Sequence, residues 1–333
     1  MNFMEQVIEK AKAAPRRVVL QEGDDERIIE AGAKATAAGI AKITLIGTPK
    51  VMKEKAAAKG VSLDKMEIVD VTALPKLDEY AGELYNIRKA KGMTEEQAMT
   101  QIKDPLWYGA MMVRKGLVES FVGGASYTTA AVARAGIQVV GMKAGIKTLS
   151  SFFVMMIPDK TFGVDGILFY ADCGVVIDPD ANQLADITLM TAESFRSLMG
   201  REPLVAMLSC STKGSAKHPR IDKITNALAI VKQKAPALVV DGEMQGDAAL
   251  IPAVGEKKAK GSPVAGKATV LIFPDLDSGN IAYKLTERLA KAMALGPILQ
   301  GMSMPCSDLS RGCKAEDVLN VIAINVVRLS ATR

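Results

Sequence analysis

A serine, an arginine and an aspartate lie close together near the carboxyl end of the chain, in Leu309-Ser310-Arg311-Gly312-Cys313-Lys314-Ala315-Glu316-Asp317. A guanidinium grips phosphate through a planar fork of donors. The segment opens a stretch in which Val318, Leu319, Ile322, Val326 and Val327 form the apolar stripe of a core-facing helix. Helix starts attract negative charge, and Gly312 lets backbone amides approach a ligand closely. Asp317, in or near the first turn, is placed to act as a base. The competing reading is that Ser310 caps the helix while Glu316 and Asp317 merely favour its dipole.

Three more polar segments follow apolar runs that read as strands. Ser209 to Ala216 follows Leu204–Leu208 and offers the Ser211 and Thr212 hydroxyls and the Lys213 ammonium. Carboxyl ends of parallel strands are where α/β sheets bind ligands, and such a loop suits an anion. It also suits an ordinary strand-to-helix connection. Asp241 to Asp247 follows Leu238–Val240, and Phe273 to Asn280 closes another apolar run. Convergence of these strand ends on one cleft with Ser310 and Arg311 is a stronger argument than any of them alone. Gly261 to Ala268 nearly spells a phosphate-binding loop, but Ala268 stands where a hydroxyl is needed and a strand follows where a helix should. No GxGxxG follows a strand.

The composition removes whole classes of chemistry. The 333 residues contain one histidine, His218, between Lys217 and Pro219, which reads as a solvated loop. Ser-His-Asp triads and most zinc sites are thereby excluded. The four cysteines have no CxxC spacing and are too few for a disulfide scaffold. A net charge of +5 suits an anionic small ligand, whereas nucleic acid calls for a concentrated basic patch. Aromatic residues, at 5%, are too few and scattered for base-stacking platforms. The first residues, MNFMEQVIEKAKAA, form an amphipathic pattern unlike a signal peptide, and no apolar run reaches the ~20 residues that span a bilayer. A cytoplasmic protein is expected, with no nucleic-acid or membrane partner.

The elements that must carry these residues alternate. Strands are expected at 17–20, 43–46, 137–140, 152–156, 166–170, 204–208, 238–240 and 270–273. Helices are expected over 25–39, 94–115, 181–199 and 281–295. Apolar runs separated by amphipathic stretches indicate a largely parallel sheet covered on two sides. Glycines at 136, 141 and 145, and the stretch from Gly296 to Gly301, read as two hinges. If both are crossovers, the last helix returns to the first domain.

Four segments, SCSTKGSAK, DGEMQGDAALIP, GSPVAGKATVLIFPDLDSGNIAYK and GPILQGMSMPCSDLSRG, together with YNIRKAKGMT nearer the amino terminus, resemble the phosphate acetyltransferases and their phosphate butyryltransferase relatives. The resemblance covers essentially the whole chain. It implies two three-layer α/β/α domains with a cleft between them, the architecture of isocitrate and isopropylmalate dehydrogenases. The first domain would comprise 1–143 plus 298–333, and the second, expected to dimerise, 144–297. The implied reaction is acetyl-CoA plus phosphate to acetyl phosphate plus CoA, reversibly, in a homodimer coupled metabolically to an acetate kinase. Coenzyme A is a substrate, and neither a resident cofactor nor a metal is implied. By the match to LSRG, Ser310 and Arg311 become catalytic, and Asp317 takes the thiol proton. Arg88, Arg134 and Arg288 match arginines of the site, and the coenzyme A set is completed by Asn280, Lys284, Ser211, Thr212 and Lys213.

The chain departs from the family pattern G-A-x-H-[ST]-[ST]-x-D-T-L-R-P between Gly124 and Gly136. Tyr127 stands at the histidine position, Ala131 at the aspartate and Ala135 at the proline, and Met304-Pro305 replaces a lysine-proline. Acyl-chain preference is left open by these changes, with propanoyl and butyryl transfer as alternatives to acetyl. Three rival schemes also stand: acyl transfer through a Cys313 thioester, a dehydrogenase on the same architecture, and a degenerate acyl-CoA-binding domain.

Overall fold

The computed structural model describes residues 2–330. Its strands in chain order are β1 Arg16–Leu20, β2 Ala41–Gly47, β3 Glu67–Asp70, β4 Ser120–Gly123, β5 Ser150–Met156 and β6 Ile167–Ala171. They continue with β7 Val205–Leu208, β8 Val240–Met244, β9 Val270–Ile272, β10 Met293–Gln300 and β11 Cys306–Asp308. The chain divides into two α/β units, one running up to Lys143 and resuming at Met302, the other Ala144–Gly301. Both have the sheet-and-helix layering of an α/β/α domain.

In the first unit five strands lie in the order β11-β4-β1-β2-β3, and every neighbouring pair is parallel. Val18, Val19 and Leu20 of β1 are fully buried, as befits a central strand covered on both faces. The Ala315–Ser330 helix packs against the Glu26–Ala37 and Phe3–Ala13 helices. Its apolar stripe buries Val318, Ile322, Val326 and Val327. One polar residue interrupts that stripe. Asn325 is fully buried, donates to the Ser120 hydroxyl of β4 at 2.9 Å and accepts from the Ser307 hydroxyl of β11 at 2.8 Å. It fixes the helix over the junction of those two strands.

The second unit has a mixed sheet in the order β10-β5-β6-β9-β7-β8. β5 runs antiparallel to β10 and β6, and the remaining pairs are parallel. Stacked Phe152 and Phe169 rings, 5.4 Å between centroids, and Phe195 edge-on at 5.1 Å fill one face.

Several expected elements differ. Residues 137–140 are not a strand but part of a π-helical turn, Gly136–Val140, that continues the Thr129–Ala135 helix. Ile137 is exposed while Val139 is fully buried, so the burial lacks the alternation of period two that a strand imposes. The helix expected over 94–115 is two, Glu95–Ile102 and Pro105–Arg114, because Asp104 caps and Pro105 starts the second. The helix expected over 281–295 begins at Leu276, where Asp275 accepts the Ser278 amide, and ends at Leu289. Met293–Gln300 is instead β10. Since Ile298, Leu299 and Gln300 still pair with Phe152, Ser151 and Ser150, the chain leaves this unit after Gly301 and not after Pro297. β8 runs through Asp241 and Glu243, which had the look of a loop. β3, β4 and β11, four residues or fewer each, carried no periodic signal. Among the described residues no helix is long and apolar enough to cross a membrane.

Asn325→Ala should lower unfolding free energy by about 1–3 kcal/mol, because two buried hydroxyls lose their partner. Urea titration checks this, and an unchanged midpoint would show that the cluster contributes nothing.

Candidate active site

The neighbouring strands β11, β4 and β1 release three loops at one edge of the first unit's sheet, and charged side chains knit those loops together. Glu22, just past β1, is buried, and its carboxylate accepts four consecutive backbone amides of the loop after β4. The donors are Gly124 (2.8 Å), Ala125 (2.9 Å), Ser126 (2.5 Å) and Tyr127 (3.1 Å). Asp25 caps the Glu26–Ala37 helix and grips the Arg27 guanidinium, Nε at 3.0 Å and Nη2 at 2.7 Å. Arg27 in turn donates to the carbonyls of Ala125, Arg311 and Cys313. A cavity of about 420 Å³ beside it is lined by Glu22, Asp24, Asp25, Glu26, Arg27, Lys55 and Ser126.

At the end of β11, Asp308 is 3% exposed. One carboxylate oxygen accepts from the Thr129 hydroxyl, and the other is buried without a hydrogen bond. Burial pushes this carboxyl up to about 6, against the pull of the Thr129 hydroxyl and the Leu309 amide; nearby Glu22 adds to the rise. Gly124, at φ +107°, passes so close that a Cβ there would collide with Asp308.

Ser310, Arg311 and Asp317 are all exposed at the junction between β11 and the Ala315–Ser330 helix. Ser310 does not cap that helix. Its hydroxyl accepts the Gly312 amide at 3.3 Å, and its carbonyl accepts Cys313 N–H at 2.9 Å. Capping falls to Asp317, whose Oδ2 accepts the Lys314 amide at 2.8 Å. Among the described residues the Arg311 guanidinium has no ion pair, although the Arg311 carbonyl is held by Arg27 at 2.8 Å. An unpaired cation on a fixed backbone, beside a hydroxyl and a carboxylate, can bind a phosphoryl group and move a proton.

Arg134 is exposed in the last turn of the Thr129–Ala135 helix. Arg88 ends the Leu77–Arg88 helix half-buried, and its Nε is buried with no acceptor. Tyr127 donates its hydroxyl to Asp104 Oδ1 at 2.6 Å, and burial pushes the phenol well above its ordinary range, reinforced by that carboxylate. Cys313 lies 3.7 Å from Arg27 Nη1, yet burial raises the thiol more than the cation lowers it. That weakens the thioester scheme.

In the second unit Ser211 and Thr212 are buried and internally bonded. The Ser211 hydroxyl donates to Glu243 at 2.8 Å, and the Thr212 hydroxyl accepts the Gln245 amide at 2.9 Å. Lys213 is paired with Asp241 and donates to the Gly242 carbonyl at 3.0 Å. Through these bonds the three side chains hold their own loop to β8, while the Lys213 side chain remains 39% exposed. Asn280, Lys284 and Arg288 recur every fourth residue along the Leu276–Leu289 helix. Asn280 donates to the Cys173 carbonyl at 3.1 Å, Lys284 is exposed, and the Arg288 side chain is 80% exposed with Glu287 at 3.7 Å. His218 is an exposed helix cap, its Nδ1 accepting the Arg220 amide at 3.2 Å.

Sequence reasoning missed Glu22, Arg27 and Asp308. Asp24-Asp25-Glu26-Arg27 reads only as a helix start, and nothing local shows that Arg27 reaches residues almost three hundred positions away.

The α/β layout recurs in a 4-hydroxythreonine-4-phosphate dehydrogenase from Burkholderia phymatum, 11% identical, with a TM-score of 0.51 over 96% of this chain and 98% of that one. This likeness defines the class of fold. Residues 2–326 match the family model described as Phosphate acetyl/butaryl transferase. A phosphate acetyltransferase from Acetivibrio thermocellus is 51% identical over 328 residues, 98% of either chain. A phosphotransacetylase structure from Streptococcus pyogenes is 35% identical, with a TM-score of 0.93 over 99% of this chain and 98% of that one. The chain belongs to the phosphate acetyl/butyryl transferase family.

Between its ordinary value of 3.8 and about 6, folded Asp308 holds a proton that the unfolded chain has released. Stability therefore falls as pH rises through that window and levels off above it. Asp308→Asn should flatten the decline and add roughly 2–3 kcal/mol relative to the parent above pH 7. Thermal unfolding from pH 4 to 8 tests this; parallel curves for the two proteins would contradict it.

Proposed function

We propose that the chain catalyses the reversible transfer of an acetyl group between coenzyme A and inorganic phosphate, through thiolate attack in a ternary complex. The observation that carries the mechanism is the unpaired Arg311 guanidinium on a backbone clamped beside Ser310 and Asp317. In the direction of acetyl-CoA synthesis, Asp317 accepts the thiol proton through the oxygen not engaged by Lys314. The sulfur attacks the acetyl carbonyl carbon, and the bond to the phosphate oxygen breaks with its electron pair leaving on phosphate. A free thiol is only a few per cent ionised at neutral pH, so a positioned carboxylate raises the reactive fraction. The Ser310 hydroxyl donates to the tetrahedral oxyanion, and Arg311 holds the departing phosphate. Each charge-assisted hydrogen bond is worth about 1.5–3 kcal/mol, whereas positioning two reactants supplies up to roughly 7–11 kcal/mol. Positioning is the larger effect.

By the family resemblance, Arg88, Arg134, Asn280, Lys284 and Arg288 are assigned to coenzyme A. Ser211, Thr212 and Lys213 enter as the frame of their loop. Coenzyme A is a substrate and no permanently bound group takes part. In the reverse direction the acetyl phosphate formed is a mixed anhydride, and an acetate kinase would consume it as a phosphoryl donor. With free cysteines and a coenzyme A substrate, a cytoplasmic setting suits the reaction.

The same Leu276–Leu289 helix supports a homodimer. Ile281, Leu285 and Leu289 form an exposed apolar row at helical spacing, continued by Met293 at 62% exposure. Leu285→Glu should convert a dimer to monomer in light scattering. A monomeric parent protein would remove this part of the reading.

An acyl-CoA panel with phosphate, followed by release of free thiol, tests the main proposal; acetyl-CoA is expected to turn over fastest. Arg311→Ala and Ser310→Ala should lower kcat by about 10²–10³ with much smaller changes in KM. Asp317→Asn keeps the acceptor for the Lys314 amide and loses the base. Its activity should collapse at neutral pH and recover in part as pH approaches the thiol range, near 8.5. A profile parallel to the parent would rule Asp317 out as the base.

A further inference from the structure

The Arg27 guanidinium has five N–H groups, and the structure gives every one a partner. Nε and one Nη2 hydrogen go to the two Asp25 oxygens, and the second Nη2 hydrogen goes to the Ala125 carbonyl at 3.0 Å. Nη1 divides its two between the carbonyls of Arg311 (2.8 Å) and Cys313 (3.1 Å). Its charge is matched by Asp25, so Arg27 is not a free anion site.

What matters is what lies at the other ends of the two peptides it grips. A trans peptide is planar, with C=O and N–H pointing in opposite directions. Holding the Arg311 carbonyl therefore aims the Gly312 amide, which donates to the Ser310 hydroxyl oxygen. Holding the Cys313 carbonyl aims the Lys314 amide, which donates to Asp317 Oδ2. One guanidinium thus sets, through one peptide each, the hydroxyl and the carboxylate on which the proposed chemistry turns. A lysine, with three tetrahedrally arranged donors, cannot serve Asp25 and three carbonyls together.

We infer that Arg27 is a positioning residue for acyl transfer, orienting Ser310 and Asp317 through the peptides 311–312 and 313–314. This inference rests on the function proposed above. Arg27→Ala and Arg27→Lys should each lower kcat about 10- to 100-fold, as misplacement of reacting groups by an ångström does. The KM for coenzyme A should change less than about threefold, since Arg27 faces no substrate group. In a Ser310→Ala, Asp317→Asn background the same Arg27 substitutions should cost clearly less than in the parent, because two of the groups they position are gone and only Arg311 remains.

Hydrogen exchange of the segment 309–317, measured on folded protein, supplies a readout that does not depend on turnover. The Gly312 and Lys314 amides should exchange at least tenfold faster in both Arg27 variants. Unchanged kcat in a folded variant, an equal fold-loss in both backgrounds, or unaltered exchange at 309–317 would each overturn the inference. If the parent protein transfers no acetyl group, the function falls, and faster exchange at 312 and 314 would still uphold the positioning role. Should Arg27→Ala fail to fold, Arg27→Lys carries the test.

Discussion

Parallel strands that stop side by side leave loop amides and carbonyls with no ladder to join, and buried groups of that kind need partners. At the end of β1, β4 and β11 those partners are side chains. Glu22 takes four amides that would otherwise be orphaned, and Arg27 takes three carbonyls. An anionic residue for donors and a cationic one for acceptors, both from the segment after β1, turn three loops into one rigid surface. Ser310, Arg311 and Asp317 stand on that surface and can be exposed without being loose.

The second unit solves a related problem differently. There the acids sit inside a strand. Asp241 and Glu243 of β8 are buried, and they are tolerated because Lys213, Ser262, Ser211 and the Gly214 amide reach them from neighbouring loops. A buried carboxylate stripped of such partners would cost several kcal/mol. The loop after β7 is therefore a structural counterpart to β8.

That contrast also explains what could be read in advance. The long helices and the apolar strands were legible because their signal is local periodicity, as in Ala181–Met199 and β5. The Ser310-Arg311-Asp317 cluster was legible for the same reason, since a glycine-bearing turn ahead of an apolar stripe is a local pattern. Asp241 and Glu243 read as a loop in the sequence because the partners that neutralise them lie some thirty residues away. Arg27 was invisible for an extreme version of that reason, its carbonyl acceptors being 98 to 286 positions distant. Ile137–Val140 misled in the other direction, its β-branched content outweighed by continuity with the preceding helix.

The Tyr127 hydroxyl is fastened to Asp104, the cap of the Pro105–Arg114 helix, a place that a histidine could also fill. An imidazole changes charge between about pH 5 and 8, so a loop anchored by one would tighten or relax as the medium acidifies. The half-buried Tyr127 phenol, its ionisation pushed upward by desolvation and by Asp104, stays neutral throughout that range. In this chain the fastening of Tyr127 to Asp104 therefore involves no change of charge on the tyrosine across that range, in contrast to the Asp308 carboxyl that holds Thr129 nearby.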